Sequence, residues 1–349
     1  MKNKNPQVTV LTLVYNGMPY LKESIESILN QSYKNFEFLI IDDCSPDENV
    51  VKLIESYSDK RIRFIKNEIN LGVSLTFNKA LSIINTPYII RADQDDISLP
   101  NRVNDQLKYL IKNPNVDIIC SLEHTIDSNG KRGRDWKRTL NNYGEFIGPV
   151  LLGICPIWHP SIAFKKESMI NAGGFKVEYT RAEDFEVTAR LAVKRFEARV
   201  LQKFHLLQRQ HQASQSKEFS QEMADMSNRI QEESIACFLK KEDAKKIAPF
   251  LRFKINKNEK KFKSYILEMY VLLNRLLDNI NYKQKMNEKE FDSLKKIIFK
   301  RIGLGTKLLK FYSFLPSFLF KIIFYILSPF YLTKFYTIIS KTYSNIKRL

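Results

Sequence analysis

Cysteine is scarce in this chain, and what there is lies far apart: Cys44, Cys120, Cys155 and Cys237 form no CxxC pair and show no Cys/His ligand spacing. That argues against a disulfide framework and fits a reducing cytoplasm. A signal core is also missing. Two lysines precede the apolar run Val8–Val14, but the run is short and ends on Tyr15-Asn16-Gly17 instead of a small-residue cleavage site, so it reads as a first strand. No internal repeat occurs, and no low-complexity tract beyond an excess of lysine and asparagine. Acid disappears towards the C-terminus: after Asp292 there is none. Residues 1–215 carry 29 Lys and Arg against 25 Asp and Glu, whereas residues 216–349 carry 27 against 13, so most of the +18 net charge sits in the C-terminal part. Such a tail suits an anionic surface, either lipid headgroups or nucleic acid.

What is present is enough for a large core: 349 residues at 44% apolar content make one large domain, or a domain with an appendage. Strand-like and helix-like stretches alternate from the start, which predicts a mainly parallel sheet covered by helices. Val8–Val14 leads into a helix carrying Leu21, Ile25, Ile28 and Leu29, and residues 36–41, 61–66 and 88–90 read as further strands. Residues 116–121 follow, and Asp127-Ser128-Asn129-Gly130 predicts a hairpin because Asn-Gly tolerates positive φ, so the sheet turns partly antiparallel there. Residues 162–164 and 198–204 are the last predicted strands, with a helix between them that closes at Gly173-Gly174. From about Lys217 the pattern is helical. The expected organisation is an α/β domain over 1–216 and a helical extension over 217–349.

Two acidic turns fall at the ends of predicted strands, where open α/β sheets collect ligands: Asp42-Asp43 and the run Asp93, Asp95, Asp96. Three carboxylates in four residues repel one another unless a cation lies between them, and oxygen ligands at that density suit Mg²⁺ or Mn²⁺, ions that commonly hold substrate phosphates. The same residues also suit a solvated turn, with Ser98 capping the next helix and Pro100 in its first turn. Taken alone, the stretch leaves both readings open.

The order of the motifs narrows the choice. Val8-Thr9-Val10-Leu11 through Tyr15-Asn16-Gly17, Ser27 through Tyr33, Ile41-Asp42-Asp43, Asn70-Leu71-Gly72, Asp93-Gln94-Asp95-Asp96, Gly173-Gly174-Phe175 and Glu183-Asp184 occur in a sequence that resembles the family-2 inverting glycosyltransferases of bacterial cell-surface polysaccharide assembly. The resemblance covers about residues 8–216. It implies a GT-A fold, a Rossmann-like, mainly parallel mixed sheet flanked by helices, with the basic and aromatic helical extension added to it. It also implies that a hexosyl or N-acetylhexosaminyl unit moves from a nucleotide-sugar donor, UDP-linked, to a glycan or lipid-linked glycan acceptor. Tyr15 and Asp43 resemble the residues that hold the base, with Asp42 beside them. Asp93-Gln94-Asp95 matches the DxD pattern, which makes Asp95 the expected ligand of Mn²⁺ or Mg²⁺ and places Asp93 near the ribose or the metal, with Asp96 as a neighbouring or capping carboxylate. Glu183-Asp184 matches the family's acidic pair, with Asp184 as general base. Arg209 and His211 stand where many relatives carry Tyr-Arg-x-His, Gln208 departing from that pattern, and are expected to meet the diphosphate. The tryptophan of a QxxRW motif is missing after Arg209, which points to single transfer over chain synthesis. His159, in His-Pro-Ser, is either an acceptor-side residue or a structural histidine, and His124 and His205 show no pattern.

The tail carries its own signal. Phe291, Leu294, Ile297, Ile298, Arg301 and Ile302 give a basic helix with an apolar face, and residues 311–332 form a 22-residue apolar and aromatic block. As a helix the block would measure roughly 33 Å. Lys321 at its middle would cost about 2.5 to 3.5 kcal/mol on insertion scales, and Pro316 and Pro329 interrupt it. Residues 291–349 are therefore expected to associate with an anionic membrane surface without crossing it, placing the enzyme on the inner face of the cell membrane, the alternative being an amphipathic helix that packs on the catalytic domain. Two other classes fit parts of the chain. A basic nucleic-acid-binding protein would use Lys240 to Lys263 on phosphates but leaves the acidic motifs unexplained, so no nucleic acid is expected. A non-catalytic relative would bind sugar nucleotides without transfer.

Overall fold

The computed structural model describes residues 5–211, 220–252 and 262–301. The aromatic block 311–332 and most of the expected membrane-associating stretch 291–349 lie outside the described residues.

Nine strands form one sheet: β1 (Val8–Val14), β2 (Glu37–Asp42), β3 (Ile62–Lys66), β4 (Tyr88–Arg91), β5 (Ile97–Ser98), β6 (Ile118–Ile126), β7 (Arg132–Trp136), β8 (Ala163–Lys165) and β9 (Ala198–Arg209). Their order is β3-β2-β1-β4-β8-β6-β9-β5, with β7 beside β6. β3, β2, β1 and β4 are mutually parallel, as are β6 and β9, whereas β8 runs antiparallel to both β4 and β6. The Asn-Gly hairpin is present and turns β6 into antiparallel β7, with Gly130 at φ +82°.

The helices α1 (Leu21–Leu29), α2 (Glu48–Glu55), α3 (Gly72–Ile83), α4 (Arg102–Lys112), α5 (Tyr143–Leu151), α6 (Lys166–Ala172) and α7 (Glu183–Val193) cover the sheet. Alternation along β1 sends Val8, Val10 and Val14 into a core with Leu21, Ile25 and Ile28 of α1. Leu11 joins the core holding Phe77, Ala80 and Leu81 of α3. Burial on both faces is why the parallel strands read as unbroken apolar runs. Gly173, at φ +101°, ends α6 as predicted. A Cβ on the next residue, Gly174, would come within 2.5 Å of Asn78 Oδ1, the atom that receives the Phe175 N–H at 2.8 Å.

Four more helices follow, α8 (Ser220–Ala236), α9 (Lys241–Leu251), α10 (Phe262–Gln284) and α11 (Glu288–Arg301). They add to the α3-side core: Ile230, Ile247, Leu273 and Leu294 belong to one cluster with Phe77 and Phe146. α11 lies so close to α5 that a Cβ on Gly144 would overlap the Glu290 carbonyl. Arg195, just beyond α7, donates from its Nη2 to both Glu290 oxygens at 2.9 Å. The apolar face of α11, expected at a membrane surface, is turned to the protein instead, with Leu294 and Ile298 fully buried. An amphipathic period specifies a stripe, not the partner that covers it. Ser98 is a second difference: it lies in β5 and does not cap α4, which starts after Asn101, and its hydroxyl accepts from buried Arg102 at 2.9 Å. Among the described residues no helix is long and apolar enough to cross a membrane.

Candidate active site

The ends of β1 and β4, the turn after β2, the start of α7 and the end of β9 enclose a cleft of about 1220 Å³, lined by Tyr15, Asp43, Asp93, Asp95, Glu183 and His211 among others. Its volume is ample for a sugar nucleotide. At its β1 side Tyr15 is 45% exposed. The next residue, Asn16, has φ +53° and donates its N–H to Ser45 Oγ at 3.0 Å.

The first acidic turn is well supplied with donors. Asp42 is fully buried and accepts from the Ser45 amide at 3.2 Å and from the Ser45 hydroxyl. Asp43 Oδ1 accepts from Asn67 Nδ2 at 2.7 Å, Thr76 Oγ1 at 2.8 Å and the Leu71 amide at 3.0 Å. Its Oδ2 accepts from the Gly72 amide at 2.8 Å, which leaves that oxygen acceptor capacity. Asn70-Leu71-Gly72 therefore presents backbone N–H groups to Asp43 at the start of α3.

The second turn is undersupplied. Asp93 pairs with Arg91, Nε to Oδ1 at 2.6 Å. Asp95 Oδ2 meets His211 Nε2 at 2.9 Å, and burial first, then the nearby Asp93 carboxylate, raise its pKa against the pull of His211. Asp96 is buried, accepts the Arg209 amide at 2.8 Å, and is driven well above the ordinary carboxylate range by burial and by Asp95 and Asp93. Arg209, expected at a diphosphate, is itself buried. Its fork donates to the Asp95 carbonyl at 3.0 Å, the Asp127 carbonyl at 3.2 Å and the Glu23 carboxylate, with its Cζ 4.5 Å from the Tyr20 ring centroid. That geometry fixes the 209–211 backbone and leaves His211 as the nearer of the two to Asp95.

At the α7 end Glu183 lines the cleft, and burial raises its carboxyl, with a further push from Asp184. Asp184 accepts the Phe185 amide at 2.6 Å. Burial works against the Arg91 charge, but Asp93, aided by Glu183 and Asp184, outweighs it and holds the guanidinium above its usual pKa. His159 is buried beside α7 with Nε2 2.9 Å from Thr188 Oγ1, and burial pushes it down to about 4. His124 stacks on Phe204 with centroids 3.9 Å apart and pairs with Asp135, and His205 sits between Ser121 and Asp105.

Sequence reasoning missed three residues here. Arg91 was visible as a base two positions before Asp93, at the strand end. Gln94 bonds to the Tyr15 backbone. Glu123, a lone acid inside an apolar strand, is 1% exposed, has no hydrogen-bond partner on either oxygen among the described residues, and is pushed by burial to about 7.

Among the described residues no three His, Cys, Asp or Glu side chains converge to hold a metal unaided. A magnesium-type site needs only one or two carboxylates with substrate phosphates completing the shell. Asp95 and His211 fit that requirement, since an added positive charge would relieve the repulsion that raises Asp95. Asp93 fits it less well than its place in the DxD pattern suggests, because Arg91 already neutralises it.

The sequence profile described as glycosyl transferase family 2 matches residues 9–170. An uncharacterized glycosyltransferase of Methanocaldococcus jannaschii is 34% identical over 204 residues, covering 58% of this chain and 70% of that protein. The chain belongs to glycosyl transferase family 2. Another family-2 likeness is to an O-antigen biosynthesis glycosyltransferase of Escherichia coli, 28% identical over 53% of this chain and 71% of the relative. In fold, this family-2 enzyme is similar to the crystal structure of S. aureus TarS 1–349 in complex with UDP-GlcNAc, with a TM-score of 0.56 at 16% identity, over 85% of this chain and 89% of that one. The fold is the GT-A fold.

Proposed function

We propose that this family-2 enzyme transfers one hexosyl or N-acetylhexosaminyl unit from a UDP-linked donor to a hydroxyl of a glycan acceptor, with inversion. The observation that carries this reading is the meeting in one cleft of Tyr15, an undersupplied acidic turn and Glu183, with Asp184 the next residue of α7 behind that lining. Tyr15 packs on the base, and Asp43 Oδ2 accepts from it. Asp42 holds Ser45, and through it Asn16. Asp95 and His211 would hold Mn²⁺ or Mg²⁺, whose charge would stabilise a departing diphosphate. Asp93, neutralised by Arg91, faces the ribose end. Asp184 takes the proton from the acceptor hydroxyl, Glu183 shapes the local field, and Arg91 offsets both acids. Arg209 acts by holding the 209–211 backbone in place.

The setting follows from the relatives and the charge. An O-antigen relative and a UDP-GlcNAc-bound neighbour in fold favour cell-surface polysaccharide assembly. The basic C-terminal part favours a lipid-linked acceptor at the anionic inner face of the membrane. The test is a panel of UDP-sugars with Mn²⁺ and a glycan acceptor pool, read as UDP release and as product anomer by NMR. Release that needs an acceptor, with an inverted product, is the expected result. No release from any UDP-sugar, or full turnover in both Asp95→Ala and Asp184→Ala, would sink the reading.

A further inference from the structure

Gln94 stands between the two acids of the DxD pattern, and the roles proposed above leave it without a task. Its amide group makes two hydrogen bonds to the backbone of one residue 79 positions away: the Tyr15 N–H donates to Oε1 at 2.9 Å, and Nε2 donates to the Tyr15 carbonyl at 3.0 Å. This reproduces with a side chain the two-way exchange of a hydrogen-bonded antiparallel pair. The approach is close enough that a Cβ on Gly17 would lie 2.9 Å from Gln94 Oε1. On its other side the same loop is held by Ser45, through the Asn16 amide. Tyr15 itself is 45% exposed, so packing does little to fix its ring, and the backbone sets where the ring points.

We propose that Gln94 is a positioning residue that fixes the Tyr15 peptide, and through it the ring that receives the nucleoside base, so that the base end and the diphosphate end of the donor site are set by one turn. The inference rests on the reading of Tyr15 as the base platform. A primary amide is needed because it offers one donor and one acceptor side by side. Glutamate lacks the donor, asparagine is one methylene short, and methionine has the length without either strong bond.

The test is calorimetric titration of the full chain with UDP, with uridine, and with inorganic pyrophosphate plus Mn²⁺. Gln94→Met is expected to weaken UDP and uridine by about tenfold each, as for the loss of two bonds that order the loop, and to leave pyrophosphate unchanged. KM for the UDP-sugar rises in step while kcat stays near wild type. Gly17→Ala, which presses on Oε1 without replacing Gln94, gives the same pattern and carries the test if Gln94→Met does not fold. In a Tyr15→Ala background the Gln94 substitution has no further effect, because its influence passes through that ring. Equal UDP and uridine affinities in wild type and Gln94→Met overturn the inference, as does an undiminished Gln94 effect without Tyr15 or a parallel loss of pyrophosphate. A wild-type chain that binds neither UDP nor uridine would instead bring down the functional reading itself.

Discussion

The turn after β2 and the turn after β4 look alike in sequence, each an apolar strand ending on aspartates, yet the fold treats them in opposite ways. Asp42 and Asp43 meet backbone amides, an asparagine and two hydroxyls, so their charge organises the loops leading to α2 and α3. Asp95 and Asp96 meet one imidazole and one amide, and burial, with the remaining repulsion behind it, lifts both carboxyls. A satisfied carboxylate builds structure, whereas an unsatisfied one beside a like charge is poised to take something from solution. Acidic residues at a strand end do not say which kind they are; the donors brought in from elsewhere do.

The comparison breaks most visibly in turnover. Asp184→Asn is expected to lower kcat/KM for transfer by about a thousandfold, as for loss of a general base, and Asp95→Ala by about a hundredfold or more. Both variants should melt within a few degrees of wild type, checked by calorimetry. EDTA should reduce transfer as Asp95→Ala does, with Mn²⁺ restoring it. Asp43→Ala should do the reverse. It removes the acceptor of the buried Asn67 amide and Thr76 hydroxyl and of the half-buried Leu71 and Gly72 N–H groups, the last of which keeps Asn70 Oδ1. At roughly 1 kcal/mol per stranded donor, we expect a loss of roughly 2 to 3 kcal/mol in urea unfolding before activity is considered.

Glu123 sharpens the contrast from a third direction, as a buried carboxyl with no hydrogen bond on either oxygen among the described residues and only partly compensated by the charges around it. Burial raises it to about 7, against partial relief from Ser161, Arg102 and Arg138, while Asp93 adds to the push. Because the folded value lies above the unfolded one, the folded state binds the extra proton. Stability therefore falls as pH rises from about 4.5 to about 7. Glu123→Gln should remove that slope and stabilise the chain by roughly 2 kcal/mol at pH 8, with little change at pH 4. A variant whose unfolding free energy tracks wild type at both pH values would show that Glu123 is better solvated than its burial implies.

Much of the site was legible from order alone: β1 was bounded correctly, the Asn-Gly hairpin was found, and Tyr15, the acidic turn and Glu183 were brought to one cleft by the strand ends that carry them. The rest depended on distance in sequence. Nothing near Asp43 announces that Asn67, Leu71, Gly72 and Thr76 converge on it, and nothing near Arg209 announces Glu23. The stripe on α11 was visible as a period, but lipid and α5 make the same demand on such a stripe. Ser98 had the chemistry of a cap and was taken by a two-residue strand, because Arg102 needed its hydroxyl for a buried guanidinium.

The α11 contact has a mechanical side. Gly144 lets α11 seat against α5, and Arg195 at the far end of α7 donates from Nη2 to both Glu290 oxygens, while its Nη1 goes to Glu197 and its Nε to the Gln284 carbonyl. The opposite end of α7 carries Asp184. α11 thus braces α7 from the end opposite the proposed base, so the seat of α11 on α5 bears on how that helix is held.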